Sequence, residues 1–105
     1  MGTRVRQWTF LTNHARVLLT IARDPTARLR SIAATCRITE RAAQKIVADL
    51  EQAGYVSRER VGRRNQYVLH PDGTFRHPAE AGLPVRLLLE IFTSREADAE
   101  QPPSR

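Results

Sequence analysis

Apolar residues recur at helical spacing near the start of the chain. Val17, Leu18, Ile21 and Ala22 share one face of a helix that begins at Thr12 or Asn13, either of which can cap it. Pro25 ends this helix and pushes Asp24 toward an extended conformation. Residues 28–56 divide into two further helices. The first starts at about Arg30 or Ser31, runs to Cys36, and turns Ile32, Ala33 and Cys36 inward. Arg37 and Ile38 then redirect the chain. Thr39 is a good N-cap for the next helix, and Glu40 suits its positive dipole end. Ala43, Ile46, Val47 and Leu50 line one face of that helix, and Gly54 can take a positive φ just past its end.

The pattern then changes period. Residues 55–61 and 66–69 read as two short strands around a hairpin tip, Gly62-Arg63-Arg64-Asn65. A link rich in proline and glycine follows, and a last helix is predicted from Pro84 to about Phe92. Val85, Leu87, Leu88, Leu89, Ile91 and Phe92 make this helix apolar on more than one face. Residues 1–11 form an N-terminal arm in which Trp8, Phe10 and Leu11 can pack on the body, and residues 96–105 read as a disordered polar tail.

Length and charge narrow the function. A chain of 105 residues supports one domain with a modest core. Residues 1–70 carry 13 cationic and 5 acidic side chains, whereas residues 71–105 carry 4 and 6, so the body is basic and the tail slightly acidic. A basic body fits a polyanionic partner. All the cations but Lys45 are arginine, the side chain best shaped for bidentate contact with phosphate and guanine; a GC-rich coding bias would give the same composition. No apolar run approaches the roughly 18 residues that span a bilayer, and the arginine-bearing start lacks the apolar core of a signal peptide, so a cytoplasmic location is expected. The single cysteine, Cys36, forms no internal disulfide, and His14, His70 and His77 lack metal-ligand spacing.

The order helix, short helix, turn, helix, strand, basic tip, strand defines an α+β class. It is the layout of a winged helix-turn-helix: three core helices, a two-stranded β-wing and an additional C-terminal helix. Residues 12–70, and above all DLEQAGYVSRERVGRRNQYVL over 49–69, resemble winged helix-turn-helix transcription regulators of the MarR and ArsR type. The runs TFLTNHARVLLTIARDP and RHPAEAGLPVRLLLEIF extend the likeness to small stand-alone regulators of high-GC bacteria. The resemblance implies sequence-specific binding of double-stranded DNA by a bacterial, nucleoid-associated protein. The helix over about 39–53 would enter the major groove, and the tip over 62–65 would reach the minor groove or phosphates. It further implies that 12–70 is the DNA-binding domain and 71–95 a linker and helix used for dimerisation. The metal-sensing branch of these regulators uses cysteine clusters, which this chain lacks.

The expected DNA contacts follow residue by residue. Arg41 can fork onto guanine and Gln44 can pair with adenine. Lys45 meets phosphate, Thr39 offers a hydroxyl and helix-end amides, and small Ala42 permits close approach. Glu40 belongs to the same face, although a role confined to the helix dipole explains it as well. Arg63, Arg64 and Asn65 form the wing contact, with Arg30 and Arg37 adding backbone contacts. Paired arginines at a hairpin tip repel each other, which argues for an anionic partner there. Arg58 and Arg60 read as solvent-facing spacers. Cys36 reads as a buried small hydrophobe, with a redox-sensing thiol as the rival.

Trp8, Phe10, Leu87, Leu88, Ile91 and Phe92 are the candidate dimer contacts, so the expected partners are DNA and a second copy of the chain; closure of the monomer core is the rival. No membrane partner, cofactor or metal is expected, and no residue pattern names a small-molecule effector. The chain shows no nucleophile–base pair, paired carboxylates or P-loop, so it does not read as an enzyme. A winged helix that docks a protein instead of DNA is the alternative function. Single-stranded RNA is disfavoured by the lack of an aromatic platform.

Overall fold

The computed structural model describes the backbone of residues 8–100 and the side chains of residues 8–93. The elements are α1 (Asn13–Arg23), α2 (Leu29–Cys36), α3 (Glu40–Gln52), β1 (Val56–Val61), β2 (Arg64–Leu69) and α4 (Arg86–Glu100). Predicted residues 1–7 of the N-terminal arm and 101–105 of the tail lie outside the described residues.

Local chemistry accounts for the helix ends. Thr12 and Thr39 have extended backbones, and their hydroxyls accept the amides of Ala15 at 3.1 Å and Ala42 at 3.0 Å. After α1, the Asp24 carboxylate accepts from the Thr26 amide and hydroxyl and holds the chain around Pro25. The α2 and α3 ends share one hydrogen-bond design. Ile38 N–H donates to Ala33 C=O and Arg37 N–H to Ala34 C=O; Tyr55 N–H donates to Leu50 C=O and Gly54 N–H to Glu51 C=O. Both are Schellman ends with a left-handed residue, Gly54 at φ 89° and Arg37 at φ 61°. Arg37 adopts this conformation despite its Cβ.

The three core helices cross so that Ala43, Ile46, Val47 and Leu50 of α3 meet Val17, Leu18, Leu19 and Ile21 of α1 and Ile32, Ala33 and Cys36 of α2. The predicted inward faces of α2 and α3 are those observed. On α1 the buried stripe also includes Leu19, while Ala22 is half-buried. Ile38 packs partly buried against this core from the α2–α3 turn. Val56 and Tyr67 extend the core onto one face of the ribbon, and Val85 and Leu89 bring in α4.

β1 and β2 pair antiparallel in the register Val56↔Leu69 to Val61↔Arg64. The hairpin therefore closes on two residues, Gly62 and Arg63. Gly62 has φ 63° and Arg63 does not have positive φ, the pattern of a type II′ turn, whose twist matches the strands. The predicted four-residue tip is thus corrected: Arg64 and Asn65 belong to β2, because the ladder continues to the turn. Tyr67 N–H also donates to Pro25 C=O at 2.9 Å, tying the ribbon to the α1–α2 loop.

The proline- and glycine-rich link is ordered. The Tyr55 hydroxyl donates to Thr74 C=O at 2.5 Å, and Thr74 bridges Pro84. Val85 N–H donates to Gly73 C=O at 2.8 Å. A Cβ on Gly73 would lie 3.0 Å from the Tyr55 ring, so glycine permits this contact. Pro84 takes part in the bridge, so the helix starts at Arg86, later than expected. It continues to Glu100, through residues 96–100 that the sequence reading leaves in the tail.

Thr39→Ala removes the side-chain cap of α3 and leaves its first-turn amide unpaired. It is expected to destabilise the fold by about 1 kcal/mol, read as a lower midpoint of denaturant unfolding with unchanged slope.

Candidate nucleic-acid interface

Burial of one α3 face dictates what its other face presents. Glu40, Arg41, Gln44, Lys45 and Ala48 are exposed, and Ala42 is half-buried. Thr39 stands at the helix start, where its oxygen is used by the cap and its hydroxyl hydrogen is free to donate. Arg30 and Arg37 are exposed on α2 and on the turn that follows it.

The wing stands beside α3. A cleft of about 400 Å³ separates them, and its walls bring Gln44 of α3 together with Arg63, Arg64 and Asn65 of the wing. Thr39, Glu40, Arg41, Ala42, Lys45, Arg30 and Arg37 do not line it.

Three residues of this cleft were not legible as site residues: Arg28, Arg58 and Tyr67. Arg58 is exposed, as expected of it, but it is more than a spacer. Its Nε and Nη2 donate to the two Glu51 carboxylate oxygens at 3.0 and 3.1 Å, and its guanidinium lies 5.8 Å from the Tyr67 ring centroid. The paired register puts Arg58 opposite Tyr67 on the core-facing side of the ribbon. Alternation of Val56 and Arg58 carried that signal; the Glu51 partner was invisible because it sits on another element. Burial pushes the Tyr67 phenol above its ordinary value; Arg58 opposes that rise and Glu51 adds to it.

A second polar cluster braces α3 from behind. His14 Nε2 of α1 lies 2.9 Å from Asp49 Oδ2, and Lys45 Nζ lies 3.8 Å from Asp49 Oδ1. The His14 hydrogen bond holds the Asp49 carboxyl below its ordinary value; partial burial opposes this, and the charges of Lys45, His14 and Arg76 assist it. Across the wing root, His70 Nε2 and Ser57 Oγ are hydrogen-bonded at 2.9 Å, an exposed contact that joins the ends of β1 and β2. Cys36 is buried, with Sγ 3.5 Å from the Thr20 hydroxyl, in keeping with a packing role. Among the described residues no group of three or more histidine, cysteine or acidic side chains could hold a metal, and no helix is long and apolar enough to cross a membrane.

Of the proposed dimer contacts, Trp8 and Phe10 are 73% and 90% exposed and stack edge-to-face on each other, with centroids 5.0 Å apart. Leu87 and Ile91 are also exposed on α4. Leu88 and Phe92 are half-buried, and Phe92 packs against the protein's own core.

Three core helices, a tight α2–α3 turn and a two-stranded ribbon beside the exposed α3 face make this a winged helix-turn-helix protein. Residues 9–64, more than half of the chain, match the MarR family, and the protein belongs to that family. Its structure is similar to that of a MarR family protein from Mycobacterium tuberculosis solved in complex with salicylic acid. That likeness has 25% identity and a TM-score of 0.54, and covers 85% of this chain and 62% of that one. The chain therefore spans less than two thirds of the mycobacterial protein's length. It also matches CymR, the global cysteine regulator of B. subtilis, at 20% identity and TM-score 0.48, covering 87% of this chain and 88% of that one. No curated protein matches the chain.

The depressed Asp49 carboxyl has a signed consequence. Its pairing stabilises the fold above the unfolded aspartate range, near pH 3.8, and that contribution is lost as pH falls through the lower folded value. Asp49→Asn is expected to flatten this part of the acid limb in a plot of melting temperature against pH.

Proposed function

We propose that this protein is a non-enzymatic transcription regulator that binds double-stranded DNA as a homodimer. One observation carries the reading: Arg41 and Gln44 stand exposed on α3, and the cationic wing rises beside them. Arg41, Arg63 and Arg64 have guanidinium groups without a protein partner among the described residues. Arg41 would read a guanine edge and Gln44 an adenine in the major groove. Arg63 in the turn, with Arg64 and Asn65 behind it on β2, would hold the minor groove or flanking phosphates. Thr39, Lys45, Arg30 and Arg37 would set register on the backbone, with Glu40 and Ala42 shaping the approach. Family membership supports this assignment.

A second copy would cover the exposed apolar side chains. Trp8 and Phe10, with Leu87 and Ile91 of α4, are larger and more exposed than a lone domain needs. Leu88 and Phe92 would lie at the margin of that contact. A two-fold arrangement would place the two α3 helices about one DNA turn, roughly 34 Å, apart. Residues 12–70 would then be the DNA-binding part and 71–95 the dimerising part. The salicylic acid belongs to the mycobacterial structure; this reading assigns no effector to the present chain.

Selection of bound duplexes from a random library at physiological salt should enrich a two-fold symmetric site with half-sites about 10 bp apart. Absence of any duplex binding at low salt would refute the reading in favour of a protein-docking winged helix. Arg41→Ala should cost about 1–3 kcal/mol and relax preference at one base position. Arg63→Ala should weaken binding to all sequences alike and reduce the salt slope by about 1, measured by fluorescence anisotropy across a salt series.

A further inference from the structure

We infer that the concavity where the C-terminal end of α3 faces the segment after β2 is a binding site for a free α-amino acid, with Asp49 taking its ammonium and Arg76 its carboxylate. The inference goes beyond the DNA-binding reading and stands apart from it. None of the lining residues, Asp49, Gln52, Ala53 and Arg76, is assigned a DNA contact.

Two opposite charges face each other here without meeting. The charge of Arg76 acts on the Asp49 carboxyl, yet its guanidinium makes no hydrogen bond or ion pair among the described residues. Asp49 is only half used. Its Oδ2 meets His14 Nε2 at 2.9 Å, whereas Lys45 Nζ stays 3.8 Å from Oδ1, beyond hydrogen-bond reach. An ion pair as exposed as this one holds little energy, so Oδ1 is open to a stronger donor. The helix end adds to the demand for a cation. The last turn of α3 carries no basic residue, and the carbonyls of Gln52 and Ala53 accept no backbone amide among the described residues. The opposite wall is ordered. Phe75 N–H donates to Leu83 C=O at 3.0 Å and its ring packs against the core, while His77 Nδ1 accepts the Ala79 amide at 3.0 Å. Arg76, between them, is exposed toward α3 from a fixed stretch of backbone.

The paired charges select the ligand. A pure anion would satisfy Arg76 and be repelled by Asp49, and a pure cation would do the reverse. An α-amino acid carries an ammonium and a carboxylate on neighbouring carbons, so one molecule answers both walls. The planar guanidinium fork matches its carboxylate. Its ammonium brings three donors, for Asp49 Oδ1 and for the unpaired carbonyls at the helix end. Gln52 offers an amide that both donates and accepts, and Ala53 only a methyl, which suits a polar side chain on the ligand. The volume of about 330 Å³ holds one free amino acid and lies at the small end of ligand sites.

The test screens the standard L-amino acids at millimolar concentration against the full-length, DNA-free protein and follows the Ala53 backbone amide and the Arg76 Nε–Hε resonance. At least one amino acid should shift both signals. Calorimetry then compares that amino acid with its N-acetyl derivative, which has no ammonium, and its carboxamide, which has no carboxylate. Each derivative should bind about tenfold more weakly or worse, the worth of one charge-assisted hydrogen bond. Arg76→Ala should lose affinity by the same factor with an unchanged melting temperature, while Arg86→Ala, outside the concavity, keeps it. No shift from any amino acid refutes the site. An N-acetyl derivative that binds as well as its parent shows an anion site on Arg76 alone, and a carboxamide that does so shows a cation site on Asp49 alone; either overturns the proposal. Affinity that survives in Arg76→Ala overturns it too. Duplex binding, present or absent, bears on the DNA reading and leaves this result unchanged.

Discussion

Val47 and Ala43 are almost completely removed from solvent where α3 crosses α1 and α2, and this burial governs the molecule's outward face. A helix with a fixed inner stripe has no rotational freedom left. Once Ala43, Ile46, Val47 and Leu50 are seated, Arg41 and Gln44 can only point away from the core. The side chains that would read a base edge are therefore oriented by residues that never touch a ligand. The Thr39 cap and the left-handed Arg37 complete this by fixing where the helix begins and how it leaves α2.

The wing is placed by a different kind of contact. Its root is apolar, through Val56 and Tyr67, but its direction is set by polar links to three other parts of the chain. Arg58 reaches Glu51 on α3, Tyr67 N–H reaches Pro25 C=O before α2, and Tyr55 holds the segment after β2 through Thr74. The exposed ion pair adds little stability alone, but as a two-pronged contact it restricts the angle between ribbon and helix. The cleft between them is the space these links leave open.

Most of the fold was legible because it depends on periodicity and on helix-end residues, both local properties. The α2 and α3 core stripes, the Thr12 and Thr39 caps and the turn at Gly54 follow from neighbours within one helical turn. The errors arose where distant partners decide. Arg64 and Asn65 looked like turn residues, yet pairing with Val61 and Arg60 draws them into β2. Arg58 is exposed as expected, but its bond to Glu51 was hidden because that partner lies on another element. Arg28 gave no signal at all, since its place in the cleft comes from chain crossing and not from spacing. Helix α4 was begun two residues early because Pro84 is engaged by Thr74, a partner ten residues upstream. Of the candidate site, the fold gathers Gln44, Arg63, Arg64 and Asn65 at one cleft and distributes the others along the exposed surface.

The two-residue turn at Gly62 and Arg63 makes the reach of the wing a stepwise quantity. Successive strand residues face opposite sides, so adding one residue to each strand would turn the tip over and exchange its two faces. Adding two to each would restore the facing and extend the tip by about 7 Å. A single insertion would leave the strands unequal and require a bulge. Changes of span in such a wing are therefore accommodated in matched pairs, and a glycine-led tip with one arginine can be carried outward unchanged while its root stays anchored to Pro25 and Glu51.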